Sequence, residues 1–382
     1  MKLKLKWLIS SLTVSLLFLL LPENTKAISV SARGAVLIEQ ESGRILYEKE
    51  ANTKMRIASI TKIMTAIIAI ESGKMDEMVK VSEKAVRTEG SSVYLKPGEK
   101  IKLEDLVYGL MLRSGNDAAV AIAEHVGGSL DGFVYLMNQK ANEIGMSNTH
   151  FANPHGLDDH ENHLSTAFDM ALLTRYAMEN EVYQRISGTE VHKAPNPTEK
   201  WDRVWKNKNR LLTQLYDYCT GGKTGYTKRA KRTLVSTASK EEMNLIAVTL
   251  NAPDDWNDHI AMYESAFKTY DMAEILEEGD LSVEVDDFYQ DKLIIKQPYV
   301  YPVKGDEREL FRVEYKLQKP QDDWEDGKEV PTVVGRAIIY LDEKPIHQSS
   351  IYFKQEFIKE EKSFFDFFKG IFSSIIGVKS YG

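Results

Sequence analysis

Ser59-Ile60-Thr61-Lys62-Ile63-Met64-Thr65-Ala66-Ile67-Ile68-Ala69-Ile70 is the stretch from which the rest of the chain can be read. Ile60, Ile63, Met64, Ile67 and Ile70 recur at helical spacing, so the segment opens a helix with an apolar face turned inward. Residues three apart share a face of such a helix, which puts the Lys62 amine within reach of the Ser59 hydroxyl. Serine is a weak nucleophile until a neighbouring base takes its proton. Lysine serves as that base only when burial or a nearby cation drops its pKa well below the ordinary ~10.4. The helix N-terminus at Ser59 also favours negative charge developing beside it.

Two further motifs follow in order. Leu103, Leu106, Val107, Leu110 and Met111 fall on one helix face that stops at Arg113-Ser114-Gly115, and Asp117 is placed to cap a third helix over 118–126. Ser114-Gly115-Asn116 therefore occupies a loop between two helices. Lys223-Thr224-Gly225 begins a strand signal, and Lys223 is a candidate for the cation that depresses Lys62. Alone, Ser59 would be read as a helix cap, Asn116 as a turn former and Thr224 as a solvated strand residue. Their order, on helix, loop and strand, makes them one constellation.

Around this constellation, residues 31–40 read as a strand, Glu41-Ser42-Gly43 as a turn and 44–48 as the returning strand. Segment 151–197 is loop-rich with one helix over 166–178. Strand signals return at 222–227, 234–238 and 245–250, and an amphipathic helix spans 259–270. Strands at both ends with helices between them predict an α+β domain built on one antiparallel sheet. Past Asp271 the runs 281–285, 293–295, 311–317 and 335–341 are short and β-like, which predicts a separate small all-β domain.

The two ends carry different signals. Lys2, Lys4 and Lys6 precede an apolar run over 7–21, and Ala27 supplies a small residue at the expected cut, the pattern of a cleaved secretory signal. In the tail, Phe364, Phe365, Phe368, Ile371, Phe372, Ile375 and Ile376 lie opposite Lys362, Asp366, Lys369 and Ser373, a helix suited to lying in a membrane surface. The expected organisation is a signal peptide over 1–27, a catalytic domain over 28–270, a β domain over 271–355 and an anchoring helix over 356–382.

Net charge is −8 and no lysine- and arginine-rich block stands out, which argues against a nucleic-acid partner. The single cysteine, Cys219, permits no internal disulfide and, with no histidine near it in sequence, reads as a loop thiol. His155, Asp158, Asp159, His160, Glu161 and His163 form a tempting metal cluster but lack helical His-x-x-x-His spacing; they read as a polar loop beside the site. No metal or cofactor is called for.

Residues 31–267 resemble the serine-type D-alanyl-D-alanine carboxypeptidases, the low-molecular-mass penicillin-binding proteins. The resemblance rests on the three motifs, on Leu95-Lys96-Pro97-Gly98-Glu99, on Met111-Leu112-Arg113-Ser114-Gly115-Asn116-Asp117-Ala118-Ala119 and on Phe151-Ala152-Asn153-Pro154-His155-Gly156-Leu157. Within that family the chain looks most like the sporulation-associated type. The resemblance implies a transpeptidase-like fold and removal of the terminal D-alanine from peptidoglycan stem peptides, on the outer face of the cytoplasmic membrane, with β-lactams as covalent inhibitors. It implies Ser59 as the acylated nucleophile, Lys62 as general base and Ser114 as a proton relay. It implies that Asn116, Lys223, Thr224, Gly225 and Tyr226 bind substrate, with the backbone N–H groups of Ser59 and Tyr226 as the oxyanion hole. Two departures stand out. Segment 253–259 lacks the arginine that helps some members bind the substrate carboxylate and leaves His259 as a candidate, and Lys231 stands where a glycine is expected. A β-lactamase of the same fold is the alternative enzyme, disfavoured because no Glu-x-x-Leu-Asn loop precedes Lys223. A wall-binding protein with a decayed site is disfavoured by the intact motif residues.

Overall fold

The computed structural model describes residues 28–196, 199–283, 286–321, 324 and 330–354. The expected signal peptide and anchoring tail lie outside the described residues. The chain forms two compact units, Met1–Asp271 and Met272–Gly382.

The first unit is built on a five-stranded antiparallel sheet. Its strands run, in spatial order, Ile45–Lys49, Gly34–Glu39, Met243–Leu250, Lys231–Lys240 and Cys219–Thr227. Gly34–Glu39 is buried along its whole length because helices cover both faces of the sheet. Ser236 and Thr249 point to the helix Asp255–Thr269, where their hydroxyls meet the two ring nitrogens of His259. Their neighbours Val235 and Val248 therefore point the other way, into the main core with Ala167 and Ala171 of the helix Ala167–Met178. The turn after the first strand is closed by Glu39, whose buried carboxylate accepts from the Glu41 and Ser42 amides at 3.0 and 2.7 Å.

The second layer is helical. Lys62–Glu71 is buried from Lys62 through Ile70, so it is a core helix and not a surface one. Leu103–Arg113 and Asn116–Gly127 pack against it. The helix Leu130–Ile144 was not foreseen. Only Phe133, Met137 and Ala141 are buried along it, an apolar stripe too thin to stand out among polar neighbours. Its start is nonetheless capped, by Ser129 Oγ accepting from the Gly132 amide at 3.0 Å. The segment 151–197, expected to be mostly loop, also holds the helix Glu181–Ser187 and the strand Val191–Ala194, which pairs with Arg203–Lys206 just beyond it.

The second unit has an antiparallel sheet in the order Gly279–Asp280, Leu293–Ile295, Lys344–Phe353, Val333–Leu341 and Phe311–Leu317, with a separate pair Asp271–Leu276 and Tyr299–Val303. Tyr289, Val334, Ile339 and Ile351 are among its buried core. The fold is thus α+β with an appended all-β unit, as expected. The expected strand over 281–285 is corrected: residues 281–283 are irregular, pairing falls on Gly279–Asp280, and 284 and 285 are outside the described residues. The strand Lys344–Phe353 was unforeseen because its hairpin turn, Asp342-Glu343, adopts left-handed φ of 47° and 63° without a glycine to announce it.

Lys231 opens its strand with φ 63°, the left-handed conformation for which glycine is the default. This explains why a glycine is expected there and shows that the lysine accepts the strain. Lys231→Gly is expected to stabilise the protein by about 0.5–1 kcal/mol in chemical denaturation, and a loss of stability would contradict this reading.

Candidate active site

Ser59 sits in a single turn of 3₁₀-helix, Ala58–Thr61, that runs directly into Lys62–Glu71. The residue before it, Ala58, has φ 48°, which costs on the order of 1 kcal/mol for a residue with a Cβ. A chain of hydrogen bonds holds the turn in place. The Ala152 amide donates to His163 Nδ1 at 3.0 Å, which leaves Nε2 to carry the ring proton and donate to Thr61 Oγ1 at 2.8 Å. Thr61 Oγ1 in turn donates to the Ala58 carbonyl at 2.8 Å. Gly156, with φ 85°, lies so close that a Cβ there would come within 1.8 Å of the Ala58 oxygen. The 151–163 passage is therefore the wall against which the serine turn is pressed.

Lys62 is fully buried, and its Nζ lies 3.0 Å from Ser59 Oγ. It lies 2.7 Å from Asn116 Oδ1 and 2.6 Å from the His155 carbonyl oxygen. The Asn116 amide has one workable orientation, because its Nδ2 donates to the Glu89 carbonyl at 2.6 Å. Burial, with the positive charges of Lys223 and then Lys208, holds the Lys62 amine well below the ordinary lysine range. A neutral amine has two protons and one lone pair. The protons match Asn116 and His155, and the lone pair is left for the Ser59 hydroxyl.

Ser114 ends the helix Leu103–Arg113 in the left-handed region at φ 64°, and Gly115 is the cap from which Asn116–Gly127 departs. Asp117 does not cap that helix. It lies inside the first turn, where its buried carboxylate accepts from the Ala118 amide at 2.9 Å and also from Ser92 Oγ at 2.6 Å and the Val93 and Leu95 amides, tying down the loop that precedes Lys96. Ser114 and Ser59 line one cleft of about 310 Å³ together with Thr224, Gly225 and Tyr226 on the edge strand of the sheet. Ser114 makes no side-chain hydrogen bond among the described residues. Gly225 has to be glycine: a Cβ there would stand 3.0 Å from the Ser59 amide nitrogen and 2.3 Å from Thr233 Oγ1. Strand and serine turn thus meet backbone to backbone, where an edge strand offers unpaired N–H groups.

Lys223 is buried, donates to the Thr224 carbonyl at 2.8 Å, and is held at a pKa of about 7 by burial and the charge of Lys208. Lys208 lines the same cleft and was missed from sequence, because no motif marks it and only the fold brings it beside residues 59 and 223. From sequence His163 reads as part of a polar loop beside the site, and nothing in the spacing marks it as the support of the Ser59 turn.

His259 is corrected. It is fully buried between Ser236 and Thr249, held neutral at a pKa of about 3, and has no access to substrate. In the histidine-rich loop, Asp158 and Glu161 pair with Arg56, and Asp159 Oδ1 accepts from Asn153. No group of three potential ligands is placed to hold a metal ion among the described residues. Cys219 is buried and its thiol is pushed up to about 11 by burial, so it is a poor nucleophile.

The sequence matches the family described as D-alanyl-D-alanine carboxypeptidase over residues 22–254, and the one described as the C-terminal domain of penicillin-binding protein 5 over residues 270–359. D-alanyl-D-alanine carboxypeptidase DacF of Bacillus subtilis is 39% identical over 258 residues, 65% of this chain and 65% of that protein. DacC of Escherichia coli is 39% identical over 244 residues, 61% of this chain and 60% of that protein. The chain thus spans a little under two thirds of the length of these relatives. Penicillin-binding protein 5 of Haemophilus influenzae superposes with a TM-score of 0.70 at 26% identity, over 87% of this chain and 99% of that one. The carboxypeptidase DacD of Francisella tularensis gives 0.65 at 27% identity, over 86% and 94%.

Burial also keeps His155 and His163 neutral, each with a pKa of about 3. With His259, three histidines are protonated in the unfolded chain below its ordinary ~6.5 but not in the folded one. Folding stability is therefore full above pH ~6.5 and is lost as pH falls from there towards 3. Denaturant titrations at pH 7.5 and 5.5 should differ by on the order of 3 kcal/mol, and equal stabilities would contradict the neutral, buried assignment.

Proposed function

The chain belongs to the D-alanyl-D-alanine carboxypeptidase family, and from that premise we propose that it is a serine carboxypeptidase removing the terminal D-alanine from peptidoglycan stem peptides. The observation that carries the proposal is the 3.0 Å approach of the buried Lys62 amine, held well below the ordinary lysine range, to Ser59 Oγ beside a cleft bordered by the Thr224–Tyr226 edge strand. Ser59 Oγ attacks the carbonyl carbon of the penultimate D-alanine while Lys62 takes the hydroxyl proton. The oxygen of the tetrahedral intermediate lies against the backbone N–H groups of Ser59 and Tyr226. The C–N bond breaks, the leaving D-alanine nitrogen takes a proton, with Ser114 as relay, and an ester remains on Ser59. Water, deprotonated by Lys62, then hydrolyses that ester. Lys223 and Thr224 receive the terminal carboxylate, and Asn116 holds Lys62 while bordering the substrate amide.

A β-lactam presents a strained amide and a carboxylate in the same places, so it is expected to acylate Ser59 covalently. The basic, apolar first segment and the amphipathic tail support secretion and attachment to the outer face of the cytoplasmic membrane. The likeness to the sporulation-associated type supports a role in the spore wall.

Incubation of the purified full-length protein with benzylpenicillin should give a stable penicilloyl adduct on the Ser59 peptide by mass spectrometry, absent from Ser59→Ala. The same protein should release D-alanine from a stem pentapeptide. Lys62→Ala should slow acylation by about 10³-fold. Drug hydrolysis without D-alanine release would replace this reading with a β-lactamase, and no adduct with no hydrolysis would replace it with a binding protein.

Lys223 loses its charge as pH rises through about 7, whereas burial and the charges of Lys223 and Lys208 hold Lys62 well below the ordinary lysine range. KM for an acid-terminated peptide should therefore climb above pH 7 while kcat holds. A kcat that rises with a pKa near 10 would show Lys62 to be charged at neutral pH.

A further inference from the structure

Segment 253–259 carries no arginine, and His259 is sealed in the core, so the expected cation for the substrate carboxylate is missing from its expected place. Lys223 does not fully replace it. That amine is buried, donates to the neighbouring Thr224 carbonyl, and titrates at about 7, so near neutral pH it is only partly charged. A guanidinium stays protonated at every physiological pH.

One arginine lines the cleft. Arg232 stands on the strand next to the edge strand, in register with Tyr226, two pairs along from Thr224. Two residues along a strand are about 7 Å, a span that an extended arginine side chain covers. The guanidinium is held by two groups from the start of the helix Asp255–Thr269. Asp255 Oδ1 accepts from Nε at 3.0 Å and from Nη2 at 2.5 Å, and the Trp256 ring centroid lies 5.3 Å from the guanidinium carbon. Asp255 is 3% exposed and fixed, while the arginine side chain is 40% exposed. Nη1 has no hydrogen-bond partner among the described residues. The arrangement is a pre-oriented fork with its inner edge anchored and a donor left for an incoming anion.

We propose that Arg232, oriented by Asp255 and Trp256, binds the terminal carboxylate of the D-alanyl-D-alanine substrate and sets the preference of this site for a free C-terminal acid. The assignment rests on the carboxypeptidase reading of the same cleft. Arg232 is the specificity-determining contact, and Asp255 is a positioning residue acting through it. Arg232 adds a permanent charge beside Lys208 and Lys223, so the cleft attracts an anion even where Lys223 is neutral.

The test compares wild type, Arg232→Ala, Arg232→Lys and Asp255→Asn, as full-length proteins, on two matched pairs of substrates. One pair is a peptide ending in D-alanyl-D-alanine and its C-terminal amide. The other is benzylpenicillin and its methyl ester, followed by the rate of Ser59 acylation. Arg232→Ala should lower kcat/KM for the acid by about 10- to 100-fold, mainly through KM, and leave the amide within about threefold. Arg232→Lys should recover part of the loss, and Asp255→Asn should give a smaller loss of the same acid-selective kind. Unchanged amide and ester kinetics show that the variants are folded. Equal losses on acid and neutral partners, or no loss on the acid, would overturn the assignment. If wild type leaves both peptides intact but acylates faster with the acid than with the ester, and Arg232→Ala removes that preference, the carboxypeptidase reading fails and the role of Arg232 stands.

Discussion

The site depends on the burial of one amine. A lysine in the first turn of a core helix is an expensive choice, since a charged ammonium removed from water costs several kcal/mol. The protein meets that cost by keeping the amine neutral and supplying a partner for each of its protons, Asn116 Oδ1 and the His155 carbonyl. Lys208 and Lys223 disfavour the charged form further. What is left over is a lone pair aimed at Ser59. The burial that would be a defect elsewhere makes the base here.

Such a site tolerates little movement, and the surrounding structure fixes each piece from a different part of the chain. The Ile57 carbonyl accepts from Thr233 Oγ1 at 3.0 Å, which locks the entry of the serine turn to the sheet. Thr65 Oγ1 donates to the Pro154 carbonyl at 2.6 Å, which locks its exit to the loop. Gly156 and Gly225 let backbone approach backbone on either side of residues 58 and 59. The strain at Ala58 and Ser114, both in the left-handed region, persists because these contacts leave the chain no alternative.

Much of this was legible because local pattern and tertiary role agreed. The apolar spacing after Ser59, the helix before Ser114 and the strand at Lys223 each signal their own element, and their order signals the site. The missing parts share a physical character. Leu130–Ile144 buries only one residue per turn, and the Asp342-Glu343 hairpin adopts positive φ without glycine. Lys208, His163 and Asp117 act on Lys223, Thr61 and Val93, which lie 15, 102 and 24 positions away, and no spacing rule links them. His259 illustrates the converse error. Its place in the sequence suggested a substrate contact, but it is buried as the polar seam between helix and sheet.

The charge on Lys62, on which the site depends, is open to direct observation. Protein carrying ¹³C- and ¹⁵N-labelled lysine can be titrated by NMR, with the Lys62 signal assigned by its loss in Lys62→Arg. A neutral Lys62 should give the resonance of an uncharged amine at pH 7, titrating far below that of the surface lysines. A Lys62 signal that stays that of an ammonium at pH 7 and titrates near ~10.4 would contradict it.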